Sequence, residues 1–157
     1  MTPASPETIE RNLAAARRFV DGVLGGAEPS AFADLVHPDV VVDTALKPTA
    51  KIEGATEYGR VLGETLGSAF TDGHLEIKDI AALIDGRVIV RFEATADNTG
   101  ALNGIAPTHK RFTFAELHLM RFEDGRLIEN WVGGLNPLMF EIWQAPVTAP
   151  QLLGDVK

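Results

Sequence analysis

The chain has no cysteine, no long apolar run and a shortage of basic residues, and each lack narrows what it can be. Without cysteine there are no disulfides and no thiolate chemistry, and a reducing compartment is allowed. A membrane-spanning helix needs roughly 18 consecutive apolar residues, and no stretch approaches that. The opening Met1-Thr2-Pro3-Ala4-Ser5-Pro6-Glu7 has neither a basic region nor an apolar one, so no secretory signal is expected. Lysine and arginine number 14 against 22 aspartates and glutamates, a formal net charge of -8. Nucleic acid and anionic membrane surfaces attract basic patches, so neither is an expected partner. The expectation is a soluble cytoplasmic protein. His37, His74, His109 and His118 form no HxH or HxxxH pair, which argues against a metal site. Gly100 and Gly104 precede no helix and make no phosphate cradle, and Gly67-Ser68 lacks the setting of a nucleophile elbow.

What is present is enough for one folded domain. A chain of 157 residues buries a core without staples, so a single domain over 1–157 is expected, with its core at about 6–144 and an arm at 145–157 containing Pro146 and Pro150. Ser5, Pro6 and Glu7 read as the cap and first turn of a helix in which Ile9, Leu13, Ala16, Val20 and Val23 recur at helical spacing up to Gly25-Gly26. Ser30 starts a short helix, Ala31–Val36, that His37-Pro38 ends. Val40-Val41-Val42 reads as a strand ending at Asp43. A third helix runs from about Thr56 to Phe70 with Tyr58 on its apolar side, and the spacing of Gly63 and Gly67 suggests a close approach to another surface. Strands follow at Leu75–Ile84, Arg87–Thr95, Arg111–Phe122 and Arg126–Val132. Asp85-Gly86 and Asp124-Gly125 supply the pairs that two-residue type I′ hairpins require. Helices first and antiparallel strands afterwards mean an α+β fold, with helices packed on one face of a bent sheet.

Counting outward from Asp124-Gly125 sets Met120 opposite Glu129, His118 opposite Trp131 and Glu116 opposite Gly133. Alternation then gathers Phe112, Phe114, Glu116, His118, Met120 and Trp131 on one face. Thr113, Ala115, Leu117 and Leu119 take the other, with Asn130 and Val132. The first face mixes ionisable and aromatic groups, as a pocket wall does. Glu116 and His118, two residues apart, lie about 7 Å apart at a strand rise of roughly 3.3 Å per residue, close enough to share a ligand or a bridging water. From the pattern alone His118 is either pocket-lining or structural, Glu116 fits a surface or an interface, and Asp43 faces either an enclosed space or a turn. Glu129, near the turn, reads as solvated.

The order of elements, together with Phe70-Thr71-Asp72, Gly104-Ile105-Ala106-Pro107-Thr108 and His118–Trp131, resembles the NTF2-like cone fold and, within it, the SnoaL-like polyketide cyclase family. The resemblance covers most of Pro6–Gln144. It implies a mainly antiparallel sheet closing on an apolar pocket, a homodimer, no cofactor, and a small hydrophobic carbonyl compound as ligand or substrate. The implied reaction is acid/base: a base removes an activated proton, the enolate attacks a second carbonyl, and an acid protonates the alkoxide. His118 stands where the family often has a pocket histidine or aspartate, and Asp43 near the first-strand pocket residue. The family's acid/base aspartate follows the tryptophan by four residues, where this chain has Leu135. Asn136 comes next, and a bulge at Gly133-Gly134 would turn it inward. Asparagine orients substrate but takes no proton, so His118 is the expected base, assisted by Asp43. Trp131, Phe114, Glu116, Met120 and Tyr58 are the expected substrate contacts. The rival readings are a non-catalytic binding module and epoxide hydrolysis, for which Arg91 or Arg111 would supply the cation.

Overall fold

Ser5 caps the first helix, α1 (Pro6–Arg18), by accepting the Thr8 N–H at 3.2 Å, and Pro6 stands in its first turn. The computed structural model describes residues 2–47, 50–102 and 104–133. α1 widens into a π-helical turn at Phe19–Leu24, closed by the Gly25 N–H donating to the Val20 carbonyl at 2.8 Å. A short helix, α2 (Phe32–Leu35), leads directly into β1 (Val36–Asp43). His37-Pro38 therefore lies inside a strand instead of ending a helix. The residue before a proline favours extended backbone. Pro38, with no N–H, sits where the ladder to the last strand is interrupted between Val36 and Val41.

A two-residue strand, β2 (Ile52–Glu53), had no signal in the sequence. The third helical segment begins as α3 (Ala55–Arg60), passes through a second π turn at Val61–Leu66, and ends as α4 (Gly67–Ala69). Its glycines do not mark a close approach. A Cβ on Gly63 would meet nothing, and one on Gly67 would meet only the Leu62 carbonyl of the same π turn. The remaining strands are β3 (Phe70–Ala82), β4 (Val88–Asn98), β5 (Arg111–Glu123) and β6 (Arg126–Gly133). They form one sheet in the order β2-β1-β6-β5-β4-β3, antiparallel throughout except for β1 beside β6. The fold is thus α+β, as the element order predicts.

The two Asp-Gly turns differ. Asp124 (φ 49°) and Gly125 (φ 79°) are both left-handed, as a two-residue type I′ turn requires. At the other hairpin only Gly86 is left-handed, the Gly86 N–H reaches the Leu83 carbonyl at 2.9 Å, and Leu83 pairs with Arg87 across a three-residue loop. Phe19 and Val20 from the first helical segment, Ile52, and Val88, Val90, Met120 and Leu127 from the sheet make the fully buried core. A second cluster, Ala69, Ala96, Leu102, Phe112 and Phe114, lies under the loop that joins β4 to β5. No helix among the described residues is long and apolar enough to cross a membrane.

Candidate functional site

The hairpin of β5 and β6 decides which side chains meet. Glu123 faces Arg126 and Phe122 faces Leu127, as counted from the turn. The next pair is Arg121 with Glu129, so Ile128 is an extra residue on β6, a β-bulge. Beyond it the phase is reversed: Met120 pairs with Asn130, Leu119 with Trp131, His118 with Val132. A one-residue slip moves every later side chain to the other face. Asn130 therefore points inward, 2% exposed, and Trp131 points outward beside Leu117 and Leu119, 50% exposed. Trp131 is not a wall of the site. The sequence carried one sign of this: Leu127-Ile128 breaks strict alternation with two successive apolar residues, and both are buried.

Between the sheet and the helical segments lies a cavity of about 700 Å³. Both π turns face it, through Val23, Leu24, Val61, Leu62 and Leu66, and Phe92, Phe114, Leu102 and Val132 complete an apolar lining. Its polar side chains are few: Tyr58, Thr44, Thr95, Glu116 and His118, with His74 exposed at the rim. Such a balance, apolar walls with a small convergent polar cluster, is that of a small-molecule site.

Tyr58, His118 and Glu116 are joined through Asn130 into one connected chain. The Asn130 Nδ2 donates to the Tyr58 hydroxyl at 3.3 Å and lies 3.1 Å from His118 Nδ1. His118 Nε2 lies 3.3 Å from Glu116 Oε2. Side chains two apart on a pleated strand stand about 7 Å apart at their roots, so these two converge at their tips. His118 is buried with its ring against Phe92, centroids 5.1 Å apart, whereas the Glu116 side chain is 31% exposed. Tyr58 is held by Phe19 and Phe32, with ring centroids at 6.2 and 5.8 Å. Burial pushes its phenol above the ordinary range and the nearby Glu116 charge adds to this, while the hydrogen bond from Asn130 acts the other way.

The other expected site residues fall differently. Phe114, Glu116, His118 and Tyr58 line the cavity. Met120 shares their face but is fully buried in the core with Val20 and Val88, so it packs and touches no ligand space. Asp43 points outward to an ion pair with Lys51 at 3.8 Å, because Val42 and Thr44 take the inward positions on either side of it. Asn136 lies outside the described residues. Arg91 and Arg111 are on the outer face, bound to Asp79 at 2.6 Å and to Asp72 and Asp97 at 3.0 and 3.1 Å, so neither brings a cation to the cavity. Glu129 is likewise outside, 2.6 Å from Arg121, which lowers its carboxyl below the ordinary value. Asn130 is the residue that sequence reasoning missed. Among the described residues no cluster of histidine, aspartate or glutamate could hold a metal ion.

A family model described as SnoaL-like polyketide cyclase matches residues 14–133. No curated protein matches the chain. Among solved structures, AclR from Streptomyces galilaeus, a candidate hydroxylase, is 25% identical with a TM-score of 0.69, covering 88% of each chain. A candidate SnoaL-like polyketide cyclase from Jannaschia sp. CCS1 is 15% identical with a TM-score of 0.74, over 98% of this chain and 99% of that one. An LEH-like epoxide hydrolase from M. tuberculosis is 15% identical with a TM-score of 0.64, over 90% of this chain and 87% of that one. The latter two likenesses show the fold, that of the NTF2-like proteins. Because the matched stretch runs from within α1 to the end of β6 and takes in the cavity and its polar chain, the protein belongs to the SnoaL-like polyketide cyclase family.

Proposed function

We propose that the protein is a cofactor-independent acid/base enzyme acting on a small, largely apolar carbonyl compound, by aldol-type cyclisation or ketone isomerisation. The observation that carries this reading is a carboxylate and a phenol hydroxyl linked through one hydrogen-bonded chain at the wall of an apolar cavity of about 700 Å³. Glu116 is the proton acceptor. Its carboxylate is partly exposed in the cavity, whereas His118, given that role in the sequence reading, is 3% exposed and has both ring nitrogens engaged. Tyr58 places a hydroxyl where charge develops on the carbonyl oxygen, and among the described residues no acceptor takes its proton. Donors of this kind, set in a water-poor site, stabilise an enolate oxygen more than they do in water.

In the cyclisation, Glu116 takes the α-proton and the carbon nucleophile attacks the second carbonyl, forming one C–C bond. The alkoxide then takes the same proton back from the carboxylic acid, so no electron or atom is supplied from outside. In the isomerisation the proton returns to a different carbon. A general base of this type contributes roughly 10²–10⁴-fold to rate. A thermal-shift screen of polyketide-like, steroid-like and terpenoid ketones, followed by turnover assays on the binders, tests the proposal. Glu116→Gln is expected to retain binding and lose at least about 10²-fold in kcat. Full turnover by that variant refutes the role of Glu116, and binding without turnover by any of these ketones favours a binding module.

A further inference from the structure

We infer that Asn130 is a positioning residue that relays to Tyr58 the hydrogen-bond direction that the Glu116 carboxylate imposes on His118, leaving the Tyr58 proton free for the ligand. The inference rests on the acid/base reading of the same cavity and adds the order in which its hydrogen bonds must point. Glu116 Oε2 is 3.3 Å from His118 Nε2. An ionised carboxylate only accepts, so Nε2 must carry a hydrogen. A neutral imidazole has one N–H, so Nδ1 presents a lone pair and its neighbour must donate. That neighbour is the Asn130 side-chain amide at 3.1 Å, which must therefore present its NH2 group. The second hydrogen of this group goes to the Tyr58 oxygen at 3.3 Å, which then accepts and keeps its own hydrogen for another partner.

Three strands of observation agree with this order. Asn130 is 2% exposed, so solvent does not compete for its amide. Its Oδ1 has no partner among the described residues, and the flipped amide would leave both hydrogens of the NH2 group without one at that same position, which costs more. His118 is held on its remaining sides by Phe92 and by its strand neighbours Val90 and Val132, which offer no alternative side-chain partner. The opposite order requires a hydrogen on Nδ1. Asn130 would then present Oδ1, and that oxygen would accept the Tyr58 hydroxyl and withdraw it from the cavity. The amide is thus the joint at which the base end and the donor end of the site agree on direction.

The test uses the full chain with 15N-labelled histidine and 13Cζ-labelled tyrosine. Tyr58 is the sole tyrosine and gives a single resonance, and His118→Asn identifies the His118 signals among the four histidines. Near neutral pH the wild type is expected to show His118 with Nε2 protonated and Nδ1 in the unprotonated, hydrogen-bonded range. In Asn130→Asp the new carboxylate can only accept, so Nδ1 is expected to move to the protonated range and the Tyr58 Cζ resonance to shift as its hydroxyl becomes a donor. A wild-type ring protonated at Nδ1, or a folded Asn130→Asp with unchanged His118 and Tyr58 resonances, overturns the inference. Should Asn130→Asp not fold, Glu116→Leu serves. It removes the charge and is expected to yield mixed tautomers, and a pure Nε2–H ring there is equally contrary. None of these readouts needs a substrate, so a failure to find ketone turnover counts against the enzyme reading alone.

Discussion

Replacing Asn98 by alanine should loosen the loop that closes one end of the cavity, and the cost can be worked from its contacts. Asn98 ends β4 and is 3% exposed. Its Nδ2 donates to the carbonyls of Ala69 and Gly100, both at 3.1 Å, and its Oδ1 accepts from the N–H and hydroxyl of Thr108 at 2.7 and 2.9 Å. The two ends of the 98–108 loop are thereby tied to each other and to the end of α4, and Leu102 is held over the cavity. The Ala69 carbonyl keeps the N–H groups of Thr99 and Gly100 after the substitution, so its loss is small. The Thr108 N–H loses its partner, which costs about 1–3 kcal/mol if it stays buried, and the other bonds about 1 kcal/mol together. The sum is about 2–4 kcal/mol, or roughly 5–12 °C in Tm for a chain of this size. Urea unfolding followed by tryptophan fluorescence and by far-UV circular dichroism measures it. Asn98→Asp keeps the acceptor and loses the donor, so it should fall between wild type and alanine. A loss below about 1 kcal/mol for the alanine variant would mean that the loop is held by Leu102 and Ile105 packing, not by this side chain.

Other outcomes follow from the same contacts. Burial raises the Tyr58 phenol, so the folded state holds the proton that the unfolded state releases at its ordinary value near 10. This contribution to stability is whole below pH 10 and is lost as pH rises toward the folded value. The phenolate absorbance of the sole tyrosine should therefore appear at higher pH in native than in urea-unfolded protein, and coincident titrations would count against the burial. A Cβ on Gly100 would overlap the Ser68 carbonyl, so Gly100→Ala should lower the urea midpoint by an amount equivalent to about 1–3 kcal/mol, whereas Gly63→Ala, with open space around it, should not lower it. Trp131, Leu117 and Leu119 lie together on the outer face, where Arg91 and Arg121 are paired with Asp79 and Glu129, and we propose that a homodimer forms through it. Sedimentation of wild type and Trp131→Glu tests this: a dimer that the charge dissociates supports the interface, and identical profiles refute it.

The helix start at Ser5, the Asp124-Gly125 turn, the β5 face and the overall α+β order were legible because each depends on local spacing or on one residue's backbone preference. Pro38 misled the reading, since the same extended bias that stops a helix also suits a strand. The candidate site was half legible. Glu116, His118, Phe114 and Tyr58 were placed at the pocket, but the pairing carried Trp131 in and Asn130 out. A bulge adds one residue without changing composition, and only the doublet Leu127-Ile128 hints at it. Asp43 failed for a related reason: alternation fixes which residues share a face, but not which face is inward, and Val42 and Thr44 hold the inner one. The carboxylate–imidazole contact could not be read from strand rise, because it depends on side-chain rotamers.

Every strand neighbour from β3 to β6 is joined in sequence by a turn or loop, whereas the parallel ladder of β1 with β6 brings together the first and the last strand of the described residues, Val42 beside Asn130. Contacts of such separation carry the largest loop-closure cost during folding. Val42 and Thr44, from β1 and the residue after it, face the same cavity as Val132 of β6. The binding chamber is therefore whole only when the sheet's most distant segments have met. A ligand that fills it draws the equilibrium toward that meeting by mass action, so occupancy of the cavity doubles as a reporter that the chain has completed its fold.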